Sequence, residues 1–412
     1  MTRSSATADS TAPELAYPRS WSFAALLAAL AMLGPFAIDM YLPAFHAIAL
    51  EFAVPQIAVQ QTLSTYLFAY AFMMLWHGAL SDALGRRPVV LMSLAIYAFA
   101  SLGCAIAGNI QSLWLFRTLQ GLSAGAGLVV GRAIIRDRYH GPEAQRLMSQ
   151  ITLVFGIAPA LAPVVGGVLL NTLGWRSIFW MMLVLVSAVL VWTSLRLPET
   201  LPKKRRQPLH PRALWANYSQ VLRTYDFLLL SAIPTLNFAA IFIYVAAAPT
   251  YLVDLLGVST YGFAWLFIPL ISGIMTGAVL SGRLAGRLSP QRTIRLGFAC
   301  MFAGVILNLL VVAFVPPSVP WHVLPLFVFT MGTSIVMPSL TLLLLDLFPA
   351  MRGLVSSLAG FVQFAFSGFN AGTIAPLLAH SLALLASGMA TLTVASFALW
   401  VTYGRRSPSD VS

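Results

Sequence analysis

Charge is scarce in this chain. Asp, Glu, Lys and Arg make up 9% of its 412 residues, against about 25% in a soluble domain. That leaves too little polar surface to clothe a water-soluble globule of this length. Disordered and coiled-coil classes, which depend on abundant charge, fall on the same count. Cysteine is nearly absent. Cys104 and Cys300 each lie inside an apolar run, which excludes a disulfide framework and reads as two small buried hydrophobes. Lysine occurs twice, and neither copy closes a Gly-x-x-x-x-Gly-Lys loop; the phosphate cradle of an ATP-driven machine is therefore missing. The six histidines form no His-Glu-x-x-His pair and flank no cysteine pair. Zinc chemistry has no ligand set, and no cofactor, metal or catalytic constellation is implied.

What the chain has is apolar length. Hydrophobic residues make up 59% of it, close to the roughly 61% that twelve spans of about 21 residues would occupy. Apolar segments run over 21–44, 57–80, 88–108, 111–133, 146–170, 175–196, 225–250, 261–283, 291–314, 320–344, 353–378 and 382–403. The pattern predicts an all-α polytopic membrane protein with twelve transmembrane helices. Residues 1–20 are polar and lack the basic, apolar, small-residue order of a cleaved signal peptide. They read as a tail, with Trp21 opening an uncleaved first span.

The cations supply the topology. There are 24 Lys plus Arg against 12 Asp plus Glu, a formal +12. With the N-terminus inside, 21 of the 24 fall in every second connection or in the tails. This is the bias that sets orientation in a membrane, with cationic loops cytoplasmic. Both termini are expected in the cytoplasm, and the net charge needs no nucleic acid. Residues 197–224 form a long, Pro-rich, basic connection near the middle. The expected organisation is a tail 1–20, a six-helix half 21–196, a cytoplasmic linker 197–224, a second half 225–403 and a tail 404–412, as in secondary transporters built from internal repeats. Lys203–Arg206 reads as a tether to anionic lipid, and 212–224 as a short surface helix.

Four segments carry chemistry. Between spans two and three stands Gly78-Ala-Leu-Ser-Asp82-Ala-Leu-Gly85-Arg86-Arg87. Gly85 suits a left-handed turn, and the arginines hold the loop inside. Span four contains Arg117-Thr-Leu-Gln120-Gly121-Leu-Ser-Ala124-Gly125. A cation on the lipid face costs about 2.5–3.5 kcal/mol or more at mid-depth, so Arg117 should face protein or water. Gln120, Gly121 and Ala124 share its helix face, and small residues there allow close packing. Span one contains Gly34-Pro35-Phe36-Ala37-Ile38-Asp39-Met40-Tyr41-Leu42-Pro43. Asp39 lies about 9 Å from the outer end, a depth Arg117 can share. The two are expected to form a pair whose protonation can be exchanged against substrate. Span five contains Gly156-Ile-Ala-Pro159-Ala-Leu-Ala162-Pro163-Val-Val-Gly166-Gly167, where proline bends and glycine admits close contact.

The Gly-x-x-x-Asp-x-x-Gly-Arg-Arg run resembles the signature of the major facilitator superfamily. The Arg117 segment is similar to that superfamily's fourth-span coupling motif. Gly-Pro-x-x-Gly-Gly of its drug exporters is matched with Ala162 in place of the first glycine. A narrower likeness rests on Asp39-Met-Tyr-Leu-Pro, Gln60-Gln61-Thr-Leu-Ser, Ile135-Arg136-Asp137, Leu197-Pro-Glu199-Thr200 and Ser356-Ser357 with Gln363. Together these resemble the bicyclomycin/chloramphenicol-resistance drug/proton antiporters. The resemblance implies a major facilitator fold of two pseudo-symmetric six-helix halves around one cavity. It implies proton-coupled efflux of small hydrophobic or amphipathic drugs, amphenicol- or bicyclomycin-like, across a bacterial inner membrane by a monomer. Asp39 and Arg117 would carry proton coupling. Gly78, Asp82, Gly85, Arg86, Arg87 and Asp137 would form a cytoplasmic latch, with Asp82 reaching span eleven near Gly353 and Arg86 or Arg87 reaching Asp137. Pro159, Pro163, Gly166 and Gly167 would form the antiporter motif. Candidate cavity residues are Asp39, Tyr41, Tyr66, Tyr70, Arg117, Gln120, Asn237, Phe238, Phe242 and Gln363. The family's common Gln and Tyr late in span two are Trp76 and His77 here. The alternative is a transporter of the same fold for a small metabolite such as an amino acid.

Overall fold

A computed structural model describes residues 21–139, 147, 159, 161–259 and 261–406. These residues form a bundle of long apolar helices with no strand among them. The helix satisfies its own backbone, which is what an environment without water demands. Eleven helices are long and apolar enough to cross a membrane. Spans one to four are Trp21–Asp39, Gln56–Leu84, Arg86–Ala105 and Ile110–Arg138. Spans six to nine are Arg176–Arg196, Tyr225–Ala246, Ala264–Leu284 and Pro290–Phe314. Spans ten to twelve are Leu324–Asp346, Arg352–Leu378 and Leu382–Arg406. The fifth expected span lies mostly outside the described residues; its described part includes the apolar helix Leu161–Leu173.

Two interruptions matter. Span four breaks at Gly125 into Ile110–Ala124 and Ala126–Arg138. Span eleven passes through a π turn at Asn370–Ile374, a local widening that loosens the regular hydrogen-bond ladder. Span four also packs closely. A Cβ added at Gly121 would lie under 3 Å from the Tyr66 carbonyl of span two, and one at Gly127 under 3 Å from the Leu30 carbonyl of span one. The small-residue stripe seen in the sequence therefore fixes span four against two neighbours.

The segments on either side of the linker meet along spans two and eleven. Gln61 donates to the Gly372 carbonyl at 2.8 Å, and Ser64 to the Gly368 carbonyl at 2.6 Å. Tyr70 packs on Phe364 with centroids 4.7 Å apart. Gln60 adds a bond to the Ala246 carbonyl at the end of span seven, 3.3 Å. Contact continues to Met74 against Gly360. Nearer the basic loop, a Cβ at Gly353 would face open space. Spans two and eleven are thus joined toward the end remote from the basic loop.

The linker helix forms at Pro211–Leu222. The Tyr218 hydroxyl donates to the Leu75 carbonyl of span two at 2.9 Å, and Val221 is fully buried. Burial pushes the Tyr218 phenol above its ordinary range, which keeps the proton this bond uses. Trp215, on the same helix, is 72% exposed. Upstream, the Gln207 N–H donates to the Asp82 carbonyl at 3.1 Å.

Candidate functional site

Arg117 is the largest fully buried side chain among the described residues. Its Nη1 donates to the Gln120 Oε1 at 2.7 Å, the i+3 neighbour expected to share its face. Gln120 passes the chain on, donating to the Ser101 hydroxyl of span three at 2.8 Å. Aromatic faces take the rest of the charge. The Arg117 guanidinium carbon lies 4.7 Å from the Tyr41 ring centroid and 4.4 Å from that of Tyr66. Such contacts strengthen when desolvated, to about 2 kcal/mol or more. Both tyrosines are themselves anchored, Tyr41 to Thr62 at 2.8 Å and Tyr66 to the Gly34 carbonyl at 3.0 Å. Spans one, two, three and four all contribute to one cage.

Asp39 is 5% exposed and makes no hydrogen bond or ion pair with a described residue. The expected Asp39–Arg117 ion pair is therefore not formed in this conformation. The reason is visible: two tyrosine rings and Gln120 occupy the guanidinium. Tyr66 lies within electrostatic reach of both ionic groups, so it stands as their common neighbour. Arg117 keeps Nε and Nη2 without hydrogen-bond partners, leaving donors for an acceptor that arrives.

The basic loop is a second constellation. Gly85 adopts φ +106, a conformation glycine takes freely. Arg86 pairs with Asp82 and with Asp137, the latter at 3.0 Å, and donates to the Ser81 hydroxyl at 2.7 Å. One open alternative is decided, that Arg86 and not Arg87 reaches Asp137, and one expectation needs correction. Arg87 reaches the Ser194 carbonyl at 2.8 Å and leaves Asp137 to Arg86. Asp82 is held on its own loop by Arg86 and does not touch Gly353. The sequence reading also missed two members. Glu199 accepts the Arg86 N–H at 2.9 Å and pairs with Arg206 at 3.5 Å, and Thr200 donates to Asp137 at 3.2 Å. The Leu-Pro-Glu-Thr segment was their only signal. Arg206 thus faces Glu199, while Lys203, Lys204 and Arg205 remain exposed.

With this geometry in view, residues 26–371 match the Major Facilitator Superfamily. The chain belongs to that superfamily. The bicyclomycin resistance protein homolog of Haemophilus influenzae is 28% identical over 362 residues, covering 86% of this chain and 89% of the relative. The chloramphenicol resistance protein of Pseudomonas aeruginosa is 29% identical over 325 residues, covering 76% and 75%. A crystal structure of D-xylose-proton symporter superposes with a TM-score of 0.66 at 17% identity, covering 92% of this chain and 98% of the other; at that identity the likeness concerns the fold. Within the superfamily the chain falls in the bicyclomycin/chloramphenicol-resistance drug-efflux family. It is a multi-pass transporter of a small molecule rather than an enzyme.

The remaining candidates in this major facilitator divide. Tyr41, Tyr66, Tyr70, Arg117, Gln120 and Phe242 are all buried, with the Tyr41 and Tyr66 rings closed over the cation. Phe238 stacks on Phe242 at 5.4 Å, and Gln363 is half-buried one residue from Phe364. Asn237 shares a helix face with Tyr244, seven residues on, which bonds Asn308 of span nine at 2.6 Å. Asn237 itself is buried, and its Oδ1 has no hydrogen-bond partner among the described residues. In the antiporter motif, Gly156 lies outside the described residues, and Pro159 is helical. Pro163 and Gly167 are buried. A Cβ at Gly166 would fall under 3 Å from the Met40 carbonyl, so the motif presses on span one beside Asp39. Gly78 faces Val129 of span four.

Proposed function

We propose that this protein exports small hydrophobic or amphipathic drugs, amphenicol- or bicyclomycin-like, across the bacterial inner membrane in exchange for protons. It works as a monomer, with termini and basic loops in the cytoplasm. The observation that carries the reading is the pair of ionic groups withdrawn from lipid around Tyr66: an uncommitted carboxyl at Asp39 and an arginine with spare donors. An unpaired carboxylate among apolar groups is costly, and a proton removes that cost. Drug arriving at Arg117 changes which partner the cation serves, and Asp39 takes or gives its proton accordingly. The contact of spans two and eleven remote from the basic loop supports an inward-facing stage of alternating access. The proline- and glycine-rich span five, pressed on Met40, ties this change to helix packing.

Vesicles carrying purified protein and a proton gradient test the reading. Chloramphenicol transport should follow the gradient in wild type and be lost with Asp39→Asn. Equal export by both proteins, with and without an uncoupler, would falsify the coupling.

A further inference from the structure

Arg132 lies seven residues beyond Gly125 on span four, hence on the same helix face. That face is turned to span two: a Cβ at Gly125 would meet His77 at 3.4 Å and Tyr70 at 3.6 Å. Arg132 is solvent-exposed although protein surrounds it, and its guanidinium is within electrostatic reach of the Tyr70 hydroxyl. Tyr70 in turn packs on Phe364 of span eleven. The cation therefore stands near the Tyr70–Phe364 contact between spans two and eleven. Arg136, one turn nearer the basic end, is exposed as well. Neither arginine makes a hydrogen bond or ion pair with a described residue. Three described carboxylates of this end are committed elsewhere, Asp82 and Asp137 to Arg86 and Glu199 to Arg206. Beside Tyr70, the His77 ring is 1% exposed and neither of its nitrogens has a hydrogen-bond partner.

An exposed guanidinium with no carboxylate partner among the described residues is a receptor for a carboxylate or sulfonate, whose oxygens fit its fork. An apolar body attached to that anion would find the Tyr70 and Phe364 rings adjacent. We propose that Arg132, seconded by Arg136, is the entry subsite for an anionic group, and that this mouth accepts amphipathic anions beside the uncharged drugs. A cation of the same size meets two like charges there and is disfavoured. The inference rests on the efflux reading and extends its substrate class to amphipathic anions.

The test uses the full-length protein in neutral detergent, titrated with carboxyfluorescein and separately with rhodamine 6G, an anion and a cation on related ring systems. Wild type should bind the anion at least tenfold more tightly. Arg132→Gln should weaken carboxyfluorescein about 10–100-fold, the loss of one charged hydrogen bond, and bind rhodamine 6G at least as well as wild type, which shows it is folded. Arg132→Lys should recover part of the anion affinity. Equal wild-type affinity for the two dyes, or an anion affinity unmoved in Arg132→Gln, overturns the proposal. Phosphatidylglycerol that displaces the dye where phosphatidylcholine does not, at lower concentration than the dye's own affinity, assigns the arginines to a lipid headgroup and also overturns it. Wild-type chloramphenicol export in vesicles is read separately. Its absence alongside selective dye binding defeats the efflux reading and leaves the anion subsite standing.

Discussion

The two halves of the bundle solve the same packing problem with different polar cores. Before the linker, the buried set includes Asp39, Arg86 and Arg117. After it, no Asp, Glu, Lys or Arg is buried among the described residues. The second half relies on neutral pairs instead: Tyr244 with Asn308 at 2.6 Å, and Tyr251 with the His322 carbonyl at 2.6 Å. Neutral hydrogen bonds hold helices together at modest gain, about 0.6 kcal/mol on average in membranes. A buried arginine is far more demanding, and needs its cage of tyrosines and Gln120. The contrast teaches where energy conversion can reside: in the half whose interior can change charge.

The sharpest way to break this contrast is Arg117→Met. Losing about 3 kcal/mol of charge-dependent binding should slow vesicle efflux about 100-fold; a rate within threefold of wild type would remove the first half's special role. Next is Gly166→Ala, which drives a methyl toward the Met40 carbonyl. It should lower stability by about 1–3 kcal/mol, read as a fall in unfolding temperature in detergent. Gly353→Ala, facing open space, should change it by less than about 0.5 kcal/mol. Asp137→Asn strips Arg86 of one charged partner at 3.0 Å. A loss of about 1–2 kcal/mol is expected, with faster proteolysis of the basic loop as the readout. Asn308→Leu in the neutral core should cost about 1 kcal/mol and leave the proton-to-drug ratio unchanged. A changed ratio would show that the second half shares in coupling.

Much of this architecture was readable from the chain. Long apolar runs can only be helices in a membrane, so the span boundaries in sequence and structure agree to within a few residues for spans such as 88–108 and Arg86–Ala105. Local spacing also sufficed for Arg117 and Gln120, three residues apart. What needed three dimensions were meetings between distant segments. No periodicity says that Tyr41 and Tyr66 will face Arg117 from two other helices. Equal depth made an Asp39–Arg117 pair reasonable, but depth says nothing about azimuth or about competing rings. Asn237 was chosen for its polarity, which says nothing about the partner its Oδ1 lacks among the described residues. Glu199 was legible as part of a motif, while its partner Arg86 lies 113 residues earlier.

The linker deserves a last mechanical reading. On paper it is a generous cord of 28 residues, but Gln207 is fastened to Asp82 and Tyr218 to Leu75. Only residues 219–224 then separate the second fastening from Tyr225, where span seven begins. The leash is effectively a short strap at one edge, which limits how far the start of span seven can move from span two.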